Sequence, residues 1–83
     1  MEEKKPTPQE IAEENKKIRM LRIMVDFTIS LIYQGNLTKE EAVEHFLKVK
    51  KFALRLFPGK EDAFEIIYAP RFRRLITEIY GLH

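Results

Sequence analysis

The sequence of 83 residues contains no cysteine. Disulfide bonds, thiolate metal sites and cysteine nucleophiles are therefore excluded. Histidine is scarce, because only His45 and His83 are present and their spacing is not that of a helical metal site. A chain without disulfides fits a reducing compartment. We expect a cytoplasmic protein that binds no metal and needs no cofactor.

Catalytic side chains are also few. Ser30 is the only serine, and at helical spacing it shares a polar stripe with Asp26 and Tyr33 instead of a histidine. The three glycines stand where helices are predicted to end, which is unlike a phosphate-binding loop. The sequence therefore predicts that the protein is not an enzyme.

Long hydrophobic runs are absent. The most apolar stretch, MLRIMVDFTISLIY, is interrupted by Arg22 and Asp26, whereas a membrane-spanning helix needs about 20 predominantly apolar residues. The first ten residues, MEEKKPTPQE, lack the apolar region of a signal peptide. We expect a soluble protein with no membrane partner.

Charge of either sign shows no large excess. Fifteen basic and thirteen acidic side chains give a net charge of +2, and Lys and Glu are interspersed along the chain. Nucleic-acid-binding proteins usually concentrate basic charge on one face. The richness in Lys and Glu is compatible with a thermophilic source.

Helix-capping signals are abundant and divide the chain clearly. Thr7, Pro8 and Glu10 have the spacing of a helix start, and no helix breaker follows until Gly35. The prediction is a helix over 8–34, about 40 Å long. Residues 1–6 are predicted to form a mobile charged arm, and residues 7–83 a single all-α domain.

A second capping box, Thr38 to Glu41, opens a helix over 39–57 that ends before Pro58 and Gly59. Because the connection between the first two helices is short, they are expected to form an antiparallel hairpin.

The last part of the chain contains a proline within an apolar run. Placed at 100° per residue, the apolar positions before Pro70 and those after it do not share one face. Proline also disfavours helical geometry at the preceding residue. We therefore predict helices over 60–69 and 70–80, a third helix kinked or split at Pro70, and a small all-α helical bundle. The apolar positions of the two segments are Ala63, Phe64, Ile66, Ile67 and Tyr68, and Phe72, Leu75, Ile76, Ile79 and Tyr80.

The first helix is apolar over an unusually wide arc, which is typical of a helix with neighbours on more than one side. Either the other helices of the chain cover both sides, or one side meets a second copy of the protein. The candidate self-association surface comprises Met20, Met24, Phe27, Leu31 and, from the second helix, Phe52.

The second helix is expected to bury Ala42, Val43, Phe46, Val49, Ala53 and Phe57. Lys50 falls within that apolar arc. Such a lysine usually lays its methylene groups on apolar neighbours and keeps its ammonium group in water, although a buried lysine is the alternative.

Charged residues suggest two further interpretations. Within helices, Arg22 is expected to pair with Asp26, and Arg74 with Glu78. Lys60, Arg71 and Arg74 are candidate contacts for an anion or a partner. Nucleic-acid binding through Lys48, Lys51, Arg55 and the Arg71–Arg74 cluster is the alternative function. The preferred hypothesis is a helical interaction or structural module that binds itself, as a homodimer, or another protein.

Overall fold

The computed structural model describes Lys5 and residues 7–81, and in that part of the chain it contains four helices and no strand. The helices are α1 (Pro8–Tyr33), α2 (Lys39–Leu56), α3 (Glu61–Ile67) and α4 (Ala69–Tyr80). The all-α prediction is confirmed. The predicted mobile arm at 1–6, apart from Lys5, lies outside the described residues, as do the last two residues of the predicted domain.

The start of α1 follows the capping signal. The backbone N–H of Glu10 donates a 3.1 Å hydrogen bond to the Thr7 hydroxyl, and Pro8 occupies the first helical position. The helix ends at Tyr33, one residue earlier than predicted. Gly35 then adopts a φ of 76°, a left-handed conformation that favours glycine.

The capping box of α2 is complete. The Thr38 N–H donates to Glu41 Oε1 at 3.0 Å, and the Glu41 N–H donates to Thr38 Oγ1 at 3.1 Å. The hydrogen bond from the Thr38 backbone, which stabilises the ionised carboxylate, lowers the pKa of Glu41 below its ordinary value of 4.5. Residues 34–38 connect α1 to α2, so the two helices form the predicted hairpin.

The break between the last two helices lies at Tyr68, not at Pro70. Helix α3 spans only Glu61–Ile67, and α4 starts at Ala69, so Pro70 lies in the first turn of α4. N–H groups of a first turn have no partner within the helix. Proline therefore costs no hydrogen bond there, and α4 begins one residue earlier than predicted.

The core lies where α2 and α4 pack against one side of α1. Phe46 of α2 is central to the core. The centroid of its ring lies 5.0 Å from the ring centroid of Phe72 on α4 and 6.0 Å from that of Phe64 on α3. The two helical segments therefore meet the same aromatic side chain despite the break between them. The buried apolar residues are Leu21, Val25, Ile32, Ala42, Val49, Ala53, Phe64, Ala69, Phe72 and Leu75.

Several apolar residues are less buried than the pattern predicted. Val43 is exposed and Phe57 is only partly buried. In α3, Phe64 is buried whereas Ile66 and Ile67 are 75% and 58% exposed. The reason is the shortness of α3, since seven residues present one core position per turn and leave the remaining sides in water.

The first half of α1 projects beyond the core. Every side chain from Pro8 to Met20 is exposed, and the molecule measures 52 × 21 × 16 Å. At the other end of the bundle, the Tyr80 hydroxyl donates a 2.6 Å hydrogen bond to the carbonyl of Leu37. That bond ties the end of α4 to the α1–α2 connection.

Candidate interaction surface

One apolar side of α1 is left uncovered by the other residues that the structure describes. Leu21, Val25, Thr28 and Ile32 are the buried residues of α1, and they face α2 and α4. At 100° per residue, a second apolar stripe lies more than 100° away from that side. Its exposed members are Met20, Ile23, Met24 and Phe27, of which Ile23 is 62% and Phe27 64% exposed.

Helix α2 contributes an aromatic side chain to this surface. Phe52 is half-buried and, with Met20, Ile23, Met24 and Phe27, lines an open groove of about 370 Å³.

A second groove of about 250 Å³ continues the same surface towards Leu31, between α1 and the side of α2 that carries His45 and Lys48. We call Met20, Ile23, Met24, Phe27, Leu31 and Phe52 the α1 face. The structure thus brings together the five residues proposed from the sequence.

Ile23 belongs to the α1 face but is not among the five residues proposed from the sequence. Its position, three residues after Met20 and four before Phe27, places it on the same side of a helix. The signal was therefore present in the spacing. On the helical projection, however, Ile23 lies at the edge of the apolar stripe, next to the polar residues of α1.

The extent of the α1 face exceeds what isolated exposed side chains produce. Met20, Ile23, Met24 and Phe27 leave on the order of 400 Å² of mostly apolar surface in water, within the range of about 300–600 Å² that the largest patch of a monomer covers and that often marks an interaction site. The two grooves give this surface a shape into which a side chain of a partner can fit.

Half of the basic residues proposed for nucleic-acid binding are engaged in ion pairs, namely Lys48, Arg71 and Arg73. Lys48 lies 3.6 Å from Glu44, and Arg73 lies 2.7 Å from Glu65. Lys51 and Arg55 are exposed on the same side of α2 as Lys48. Acidic neighbours reduce the positive potential that would attract phosphate groups.

The arginines of α4 point to different neighbours. Arg71 lies 3.5 Å from Asp26 of α1, so Asp26 pairs across the helix interface and not with Arg22. Among the described residues, neither the predicted Arg22–Asp26 pair nor the Arg74–Glu78 pair is formed. The physical reason for the first is that α4 packs beside the polar stripe of α1 and brings Arg71 to the same carboxylate.

Lys60, Arg71 and Arg74 are not joined by a shared contact in the described part of the chain. Lys60 lies in the α2–α3 connection, where it lines a third groove with Phe57. Arg71 is bound to α1 through Asp26. In that part of the chain the three cations thus share neither an acidic partner nor a groove.

Lys50 is partly buried and ion-paired. A quarter of its side chain is exposed, and its ammonium group lies 2.7 Å from Glu65 Oε1 and 3.8 Å from Glu61 Oε1. The hydrogen bond to Glu65 raises the pKa of Lys50 above 10.5. The same hydrogen bond, together with that from Arg73, lowers the pKa of Glu65 below 4.5. This network links α2, α3 and α4 and explains the lysine within the apolar arc.

No helix in the described residues combines the length and apolar character that a membrane span requires. Side chains of His, Asp or Glu in the same part of the chain form no group of three or more that could hold a metal ion. Comparison with known proteins finds no match, whether with a family model, a curated protein or a solved structure.

Proposed function

We propose that the protein is a small helical interaction module that associates with a second copy of itself through the α1 face. The observation that carries this proposal is the uncovered second side of α1. The chain places α2 and α4 on the side of Val25 and Ile32, while Ile23 and Phe27 remain more than half exposed.

The apolar character of the α1 face is what a second copy as the occupant would require. A standard interface buries about 800 Å² on each partner, and the core of a homodimer interface is about 65% apolar. The exposed apolar side chains of the face supply about half of that area, on the order of 400 Å², so flanking side chains such as Lys48 would have to complete the contact and the dimer would be weak. We therefore expect a dimer whose dissociation can be observed by dilution.

The α1 face can be paired with itself about a two-fold axis. In a symmetric dimer the same patch contacts itself, so each residue meets its counterpart reciprocally. An antiparallel pairing of two α1 helices centred between Ile23 and Met24 places Phe27 of each copy opposite Met20 of the other. Each Phe27 ring would then enter the groove beside Phe52.

Sedimentation equilibrium over a wide range of protein concentration tests the proposal. The wild-type mass should rise from 9.9 kDa towards twice that value. The substitution Phe27→Glu should keep the protein monomeric, because it places a charge in the apolar contact. Met24→Glu and Phe52→Glu should act in the same direction.

The matched control is Leu47→Glu. Leu47 is 54% exposed and lies on α2 away from Phe52, so the same chemical change there should leave association intact. A wild-type protein that stays monomeric at the highest concentration would contradict the proposal. Equal disruption by Leu47→Glu and Phe27→Glu would show that the α1 face is not the contact.

Nucleic-acid binding remains the alternative function. The affinity for an added nucleic acid and the self-association of the protein, each measured at two salt concentrations, distinguish the two. Binding to phosphate groups weakens steeply as salt is added, whereas apolar association does not. We expect the dimer to persist at high salt. The exposed side of α2 with Lys51 and Arg55 supports the alternative less, because Lys48 on that side is paired with Glu44.

A further inference from the structure

A third groove lies on a different side of α1 from the α1 face. Its volume is about 340 Å³, and it opens between α1, the end of α2 and α3. Leu21, Ala53 and Phe64, all buried, form its floor. Ile18 and Ile67 stand beside it and are 40% and 58% exposed.

Water in this groove has few partners. The lining is almost entirely aliphatic and aromatic, and water is held well only where several polar groups can bond to it. An alkyl chain that displaced this water would cover Ile18 and Ile67 and gain the free energy of burying apolar surface.

Two polar groups lie at the groove. Lys60 is exposed, and it carries the one charged side chain among the described residues that line the groove. Tyr68 also lines the groove, where its ring lies 5.7 Å from that of Phe64. Within the described part of the chain, the Tyr68 hydroxyl forms no hydrogen bond. An ammonium group and a phenol can both donate hydrogen bonds to a carboxylate.

From this combination we propose that the groove binds a free carboxylate with an unbranched alkyl chain of medium length. The chain would lie along Ile18, Leu21 and Ile67, and the carboxylate would contact Lys60 and the Tyr68 hydroxyl. The volume of the groove is at the lower end of the range of about 300–1,000 Å³ for small-molecule sites. A groove of this size favours an alkyl chain of medium length over a long acyl chain.

This site is independent of the proposed dimer. On the helical projection Ile18 lies on the opposite side of α1 from Phe27, so a ligand in the groove and a second copy on the α1 face do not compete. Failure of one proposal leaves the other standing.

Binding of decanoate, followed by isothermal titration calorimetry and by methyl chemical shifts, tests the proposal. Decanoate should perturb the methyl groups of Ile18, Leu21 and Ile67 and saturate at one molecule per chain. Decyltrimethylammonium, with the same alkyl chain and the opposite charge, should bind several-fold more weakly. Vesicles of phosphatidylglycerol are tested in parallel, because their acyl chains and anionic groups are held in a bilayer and are not free in solution.

Two substitutions and one control distinguish the chain contact from the head-group contact. Ala63→Phe should abolish binding of both ligands, because it fills the groove at an exposed small residue. Lys60→Glu should weaken decanoate about fivefold, the scale of a surface ion pair, without weakening decyltrimethylammonium. Lys51→Glu, the same charge change at an exposed residue that lines none of the three grooves, should leave both affinities unchanged.

Three results would overturn the proposal. The first is an absence of decanoate binding at millimolar concentration, and the second is a shift pattern centred on Met24 and Ile23 instead of Ile18 and Ile67. The third is binding to the vesicles without binding to free decanoate, which would assign the groove to a membrane surface.

Discussion

Lys50 shows at the residue scale how a charge is accommodated within an apolar arc. The sequence pattern places it among the core positions of α2, and its ammonium group is bound by Glu65 at 2.7 Å. Glu65 in turn accepts a 2.7 Å hydrogen bond from Arg73. One carboxylate on α3 therefore bridges α2 and α4. Because the three residues belong to different helices, the i, i+4 spacing within a single helix does not reveal this network.

The pKa shifts of this network predict a pH dependence. The pKa of Glu65 is lowered in the folded protein, so its contribution to stability is present above about pH 4.5 and is lost as the pH falls through the lowered value. The pKa of Lys50 is raised, so its contribution is present below about pH 10.5 and is lost as the pH rises through the raised value. Between about pH 4.5 and pH 10.5, the Glu65→Gln variant should therefore have a lower Tm than the wild type. At more acidic and more alkaline pH, the difference in Tm between the two proteins should become smaller.

Thermal unfolding at intervals of pH measures this effect. Glu61→Gln is the matched control, because Glu61 is 3.8 Å from Lys50 and its side chain is 64% exposed, so its loss should change the Tm less. If Glu65→Gln and the wild type lost stability with the same slope between pH 5 and pH 3, the network would contribute nothing to acid stability.

Burial at single positions was only partly predictable. The wide apolar arc of α1 was evident from spacing alone, but spacing does not say which side of a helix meets its neighbours. Val43 and Ile66 have the side chains of core residues and are exposed, because the positions of α3 and α4 relative to α2 decide which apolar residues are covered. That arrangement depends on contacts distant in sequence.

At the scale of elements, the helix starts were the most predictable features. Thr7 and Thr38 both cap as their sequences indicate, since the cap requires only residues within one turn. The break at Tyr68 was less predictable. Phe64 and Phe72 both pack on Phe46, and these contacts join residues distant in sequence, which a local pattern does not show.

Thr7 and Thr38 cap their helices in the same way. They differ in that the first turns of α1 project into solvent, whereas α2 packs against the other helices. Thr38→Ala should cost about 1 kcal/mol and lower the Tm by about 4–8 °C, because α2 packs against each of the other helices and cannot fray without loss of the core. Thr7→Ala should leave the Tm nearly unchanged, since the first turns of α1 are exposed and can open locally.

Calorimetry and amide hydrogen exchange measure both variants. Thr7→Ala is expected to accelerate exchange at the start of α1 alone, whereas Thr38→Ala should accelerate exchange throughout the bundle. Equal losses of Tm would mean that the projecting turns of α1 contribute to global stability, as they would if a partner covered them.

At the scale of the whole molecule, the uncovered α1 face links association to stability. A dimer that dissociates on unfolding gains stability with concentration by mass action. For two chains per dimer, each tenfold rise in concentration adds about 0.7 kcal/mol per chain. For a chain of 83 residues this corresponds to a rise in Tm of about 3–5 °C.

Unfolding curves recorded at several protein concentrations therefore test the proposed dimer without any ligand. The wild type and Leu47→Glu should show the rise in Tm, whereas Phe27→Glu should have a Tm independent of concentration. Because Phe27 is 64% exposed, its replacement should not destabilise the isolated chain. At the lowest concentration the three proteins should thus converge in Tm. If Phe27→Glu were less stable even there, Phe27 would contribute to the fold of the single chain, and the α1 face would owe its apolar residues to the monomer instead of a second copy.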